Sequence, residues 1–100
     1  MPNYYFAIAS QNFLLQEEPI EEILRERTNY YKNIHKDIDF WLVTNPHFIN
    51  RPEFESIKTQ LINPSAAIIS LDQQFIQWLK LRISFVAMGN FIAESLEINH

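Results

Sequence analysis

The chain contains no cysteine and a single glycine. The first absence excludes disulfide frameworks, thiolate zinc sites, iron-sulfur clusters and cysteine nucleophiles. The second excludes glycine-rich loops that cradle a phosphate. Positive charge is also scarce: 8 Lys and Arg against 12 Asp and Glu leave a formal net charge of −4, which disfavours nucleic acid and anionic lipid as partners. No apolar run approaches the roughly 18 residues that a spanning helix needs, so no direct membrane insertion is expected. Met1-Pro2-Asn3-Tyr4 lacks the basic segment and apolar run of a secretory signal, and an intracellular setting follows as the expectation. What the sequence does have is 47% apolar and 14% aromatic residues in 100 positions, enough for one hydrophobic core and no second domain. Residues 1–94 are expected to form that domain, with 95–100 as a frayed C-terminal tail.

Tyr4 to Ala9 is apolar on both alternating faces, Tyr4, Phe6 and Ile8 on one and Tyr5, Ala7 and Ala9 on the other. That pattern predicts a strand covered above and below. Pro19 suits a first helical position, and Glu17, Glu18, Glu21 and Glu22 suit the positive end of a helix dipole. Ile20, Ile23, Leu24, Tyr31 and Ile34 then recur at helical spacing, predicting one amphipathic helix over 19–35. A second strand is expected over Ile38 to Val43, closed by Thr44-Asn45-Pro46. A short helix follows from Asn50-Arg51-Pro52, with Phe54, Ile57 and Leu61 on one stripe, ending at Asn63-Pro64-Ser65. Ala66 to Leu71 reads as a third strand. Asp72 is placed to cap a helix over 73–87, with Gly89 as its stop and Phe91 to Ala93 as a short edge strand. The expected fold class is α+β: a single, largely antiparallel sheet of three to four strands packed with helices. Strict β-α alternation would suggest parallel crossovers, but the missing glycine-rich turns and the short length weigh against a doubly wound fold.

Little here points to chemistry. His35, His47 and His100 are far apart, with no two at ligand spacing on one helix, so surface histidines are expected and no metal or other cofactor. The serines lie in no nucleophile-elbow pattern. The glutamates around Pro19 are explained by the helix dipole. Two charges are out of place. Arg82 falls on the apolar side of its helix, between Phe75 and Trp78, and Asp39 interrupts an apolar strand on the face of Trp41 and Val43, opposite Phe40. Either Asp39 and Arg82 pair with each other, or they form a recognition patch with Phe40, because interfaces favour Arg and aromatic residues. Since Asp39 and Phe40 point to opposite faces, a patch using both belongs at a strand end or sheet edge.

Four segments occur in order: the opening Pro-Asn-Tyr-Tyr-Phe-Ala-Ile-Ala-Ser; Phe13-Leu14-Leu15-Gln16-Glu17-Glu18-Pro19 leading to Leu24-Arg25-Glu26-Arg27; Ile38-Asp39-Phe40-Trp41-Leu42-Val43; and Phe75-Ile76-Gln77-Trp78-Leu79-Lys80-Leu81-Arg82. Over about Pro2 to Gly89 the chain thereby resembles the hypothetical chloroplast open reading frame 54 family of cyanobacteria and plastids. The resemblance implies a non-catalytic accessory or assembly subunit of the aerobic oxidative cyclase that acts on magnesium-protoporphyrin IX monomethyl ester, supporting protochlorophyllide formation in chlorophyll biosynthesis. It implies the cyclase's catalytic subunit as partner, with Ala9, Asp39, Phe40 and Arg82 as partner-binding residues. It also implies a cytoplasmic or plastid-stromal location, peripheral to the thylakoid through that partner. Two other classes stay open: a small domain binding a tetrapyrrole or another aromatic ligand, with a concave apolar pocket, and a module that self-associates through an exposed sheet edge.

Overall fold

A computed structural model describes residues 1–18, 20–84 and 86–96. Its centre is an antiparallel four-stranded sheet: β1 (Asn3–Ser10), β2 (Phe40–Thr44), β3 (Ser65–Ser70) and β4 (Ala87–Ile92), in the spatial order β2-β3-β1-β4. The two most apolar strands, β1 and β3, lie in the middle and pair with Ala7 opposite Ile68. Both sheet faces are covered, as the two-sided apolarity of β1 requires. One face packs Ala7, Ala9, Ala66, Ile68 and Phe40 against α1 (Ile20–Asn33) and α3 (Gln73–Ile83). Its alanines leave room for the larger Ile76, Leu79 and Ile83 of α3. The other face carries Tyr4, Phe6, Ile8, Val43 and Ile69 beneath the connection between β2 and β3, which contains the 3₁₀ turns His47–Asn50 and Pro52–Phe54 and α2 (Glu55–Gln60). A π-helical turn, Asn12–Glu17, leads from β1 towards α1 and buries Leu14.

Three expectations change. Gly89 does not stop a helix; it lies inside β4, opposite Phe6 of β1. A Cβ there would sit 2.6 Å from Cζ of Phe6, so the absent side chain is what lets that ring lie flat across the strand. The ring is then enclosed by Phe48, Phe54 and Phe91, with centroids 4.6, 5.1 and 6.2 Å away. Second, α3 ends at Ile83 rather than Ala87. Ser84 takes φ 59°, and the Lys80 ammonium donates to the carbonyls of Ser84 and Val86, each at 2.7 Å. These bonds satisfy carbonyls just beyond the helix end and release the chain into β4 earlier than its apolar spacing suggests. Third, the strand expected over 38–43 begins only at Phe40, and Ile38 is exposed.

At the C-terminal end of the described residues, Leu96 packs on the aromatic face of the sheet. Pro19, Phe85 and residues 97–100, including His100, lie outside the described residues. No described helix is long and apolar enough to cross a membrane.

Candidate functional site

Asp39 sits one residue before β2, itself an edge strand, and its carbonyl still accepts the Leu71 amide at 3.0 Å. Its side chain turns back towards α1. The Tyr31 hydroxyl donates to Asp39 Oδ1 at 2.8 Å, and Lys36 Nζ lies 3.5 Å from Oδ2. The expectation that Asp39 shares a face with Trp41 and Val43 is therefore corrected: outside the strand, strand alternation no longer fixes its direction. An Asp39 to Arg82 ion pair is absent too, because Arg82 is exposed on the last turn of α3 and no carboxylate pairs with it among the described residues.

The arginine that meets this cluster is Arg27. Its Nη2 donates to the Tyr31 hydroxyl at 2.9 Å and to Asp72 Oδ2 at 3.1 Å. Asp72 in turn caps α3, its Oδ1 accepting from the amides of Gln74 and Phe75. One chain of polar groups thus runs from α3 through Arg27 and Tyr31 on α1 to Asp39 at the start of β2. Aromatic rings pack beneath it. Phe40 meets Tyr31 edge-on at 5.3 Å and Phe75 at 5.8 Å, while the Arg27 guanidinium lies 3.8 Å over the Phe75 ring. Phe40 is only 5% exposed, so it is a core side chain.

The electrostatics follow the geometry. Burial, reinforced by the hydrogen bond to Asp39, pushes the Tyr31 phenol above its ordinary value and keeps it a donor. The Asp39 carboxylate holds the Lys36 ammonium above its ordinary range. Among the described residues, no three His, Asp or Glu side chains are gathered as a metal would require.

The four residues singled out from the sequence do not form one patch. Asp39 and Phe40 lie together at the N-terminal end of α3, with Arg27, Tyr31, Asp72 and Phe75 around them. Ala9 is buried four residues along β1 from Tyr5, which lies across Ser70 from Phe40, and it borders a cleft with Phe13, Lys80 and Val86 at the far end of α3. Arg82 is on that far half as well, but on the outer surface. Sequence reasoning missed Arg27, yet its signal was present. Arg27 is four residues from both Ile23 and Tyr31 on the apolar stripe of α1, the same kind of misplacement that marked Arg82.

Residues 2–93 match the family model described as Ycf54 protein. The chain is 54% identical over 99 residues to the uncharacterized protein ycf54 of Porphyra purpurea, covering 99% of this chain and 91% of that one. It is 47% identical over 95 residues to the Ycf54-like protein of Synechocystis, covering 95% and 71%. To the chloroplastic protein YCF54 of Arabidopsis thaliana it is 36% identical, covering 94% and 44%. The solved Ycf54 structure from Synechocystis superposes with a TM-score of 0.90 at 46% identity, covering 95% of this chain and 89% of that one. The All0216 protein of Nostoc gives 0.89 at 55%, covering 94% and 87%. The chain belongs to the Ycf54 family.

Proposed function

We propose that this Ycf54-family chain is a non-catalytic accessory subunit of the aerobic magnesium-protoporphyrin IX monomethyl ester oxidative cyclase and binds its catalytic subunit through the outer face of α3. The supporting observation is Arg82: an exposed arginine without an ion pair among the described residues, with Leu81 82% exposed beside it and Trp78 47% exposed one turn earlier. Exposed Trp and Arg on one helix face are the residue types enriched at interface centres, and Leu81 adds apolar surface beside them. Asp39 and Phe40 then act from below, fixing α1 and α3 relative to the sheet, and Ala9 supports the far end of α3. The identity of the partner comes from the motif resemblance. Occurrence of relatives in cyanobacteria, a red alga and a chloroplast agrees with a cytoplasmic or stromal setting, at the thylakoid only by way of that partner.

The test is affinity purification of the tagged chain from a chlorophyll-making cell, with an absorbance scan of the isolated protein. Recovery of the cyclase catalytic subunit without bound pigment, weakened by Arg82→Ala at unchanged melting temperature, is the expected result. Stoichiometric pigment on the isolated chain, with no cyclase recovered, would replace this reading with a tetrapyrrole-binding domain.

A further inference from the structure

Between α1 and the first half of α3 lies an open groove of about 470 Å³ whose walls include Tyr30 and Trp78, with Arg27 and Phe75 at its base and Glu26 and Asp72 among its charged groups. Tyr30 is 59% exposed and Trp78 47%. Two half-exposed aromatic rings facing one groove are costly to leave in water and gain most when a flat or apolar group covers them.

The charges state what kind of group that is. Two carboxylates and one guanidinium line the groove, a formal sum of −1. Arg27 is already held by Asp72 and by the Tyr31 hydroxyl. Glu26 is exposed, and no cation pairs with it among the described residues. An anionic occupant would meet an uncompensated carboxylate, whereas a cation meets both that carboxylate and the negative face of an indole. The wall already holds one guanidinium: Arg27 lies on Phe75, and the Phe75 ring stacks on Trp78 at 6.1 Å with planes 18° apart. A second flat cation on the half-exposed indole would add to this array, and Asp72 offsets the charge of Arg27.

We propose that this groove seats an arginine side chain presented by a partner protein, its guanidinium lying on Trp78 and pairing with Glu26. Arginine fits better than lysine because a planar, weakly hydrated fork stacks on an aromatic face and pairs with a carboxylate in the same pose. The identity of the partner rests on the accessory-subunit reading; the chemistry of the groove does not.

Two experiments separate these. In the first, the purified protein is titrated with the capped tripeptide Leu-Arg-Leu and its lysine and citrulline counterparts, observing the two tryptophan indole signals by NMR, with Trp78→Phe identifying which is which. The Trp78 signal is expected to move with the arginine peptide, with affinity falling roughly fivefold for citrulline or in Glu26→Gln. No movement, or equal movement with arginine and citrulline, overturns the proposal. In the second, Glu26→Lys is compared with the unaltered protein for retention of the cyclase catalytic subunit. Loss of about tenfold or more at unchanged melting temperature is expected. Retention within about twofold of the unaltered protein removes the groove as the docking point and leaves the accessory role standing. If the unaltered protein itself retains no cyclase, the accessory role falls, and the peptide titration alone decides the groove.

Discussion

Truncating Phe40 to alanine distinguishes packing from partner contact in one variant. The ring is 5% exposed, sits edge-on to Tyr31 and Phe75, and lies 5.5 Å from the Arg27 guanidinium. Removing it deletes the apolar base of the polar chain while leaving the polar groups above a cavity they cannot fill. Buried Phe to Ala changes cost about 3 to 5 kcal/mol, a large share of the roughly 5 to 15 kcal/mol that a domain of this size possesses. At about 4 °C or more per kcal/mol for a chain of this length, the melting temperature should fall by at least roughly 12 °C. The assay is thermal unfolding followed by far-ultraviolet circular dichroism, with cyclase retention measured in parallel well below the lowered midpoint. Phe40→Leu, which refills most of the volume, should recover most of the loss in both measurements. A Phe40→Ala protein melting within about 3 °C of the parent, less than 1 kcal/mol by the same scaling, would refute the core assignment. If it had also lost its partner, Phe40 would have to reach the surface.

Gly89→Ala should destabilise the fold by about 1 to 3 kcal/mol in urea unfolding, because its Cβ collides with the Phe6 ring; an unchanged midpoint would mean that the aromatic face repacks freely. Tyr31 and Lys36 both have folded-state pKa values above their ordinary ones. Their contributions to stability are therefore fully present below about pH 10 and fade as the pH rises through the raised values; a pH series of melting temperatures should decline there, less steeply in Tyr31→Phe. Asp39→Ala and Arg82→Ala should combine additively to within about 0.5 kcal/mol in a double-mutant cycle, whereas Arg27→Ala and Asp72→Ala should couple; coupling between Asp39 and Arg82 would contradict the geometry.

The strands were legible where both alternating faces are apolar. Tyr4 to Ala9 and Ala66 to Leu71 predict β1 and β3 to within a residue or two, because a central strand covered on both sides leaves an uninterrupted apolar run. The end of α3 was not legible. Val86 is buried as helical spacing suggests, but Lys80 holds carbonyls beyond the helix end, a contact that no periodicity encodes. Gly89 misled for a related reason: the ring that needs its missing side chain belongs to Phe6, 83 positions away in sequence and adjacent only in the sheet. In the candidate site, the sequence marked Asp39 as anomalous and located it near a rim, since a lone carboxylate in an apolar strand has few alternatives. Its partners, the Tyr31 hydroxyl and Lys36, were out of reach, because Asp39 precedes the strand and alternation does not fix its direction, and only the turn of the chain after α1 brings it back against that helix.

Of the 14 residues of α1, only Ile20 and Tyr31 are buried. At its C-terminal half the helix is held by the buried Tyr31 ring against Phe40 together with the polar links of Arg27 to Asp72 and Tyr31 to Asp39, so charge and hydrogen bonds carry a large part of the attachment. The molecule should therefore come apart in stages. The amides of α1 exchange with solvent before those of β1 and β3, and earlier still in high salt, where the ionic attachments are screened. Each such opening should uncover Phe40 and Phe75 while the sheet stays intact, so the least durable part of the structure is the layer lying directly over these two rings.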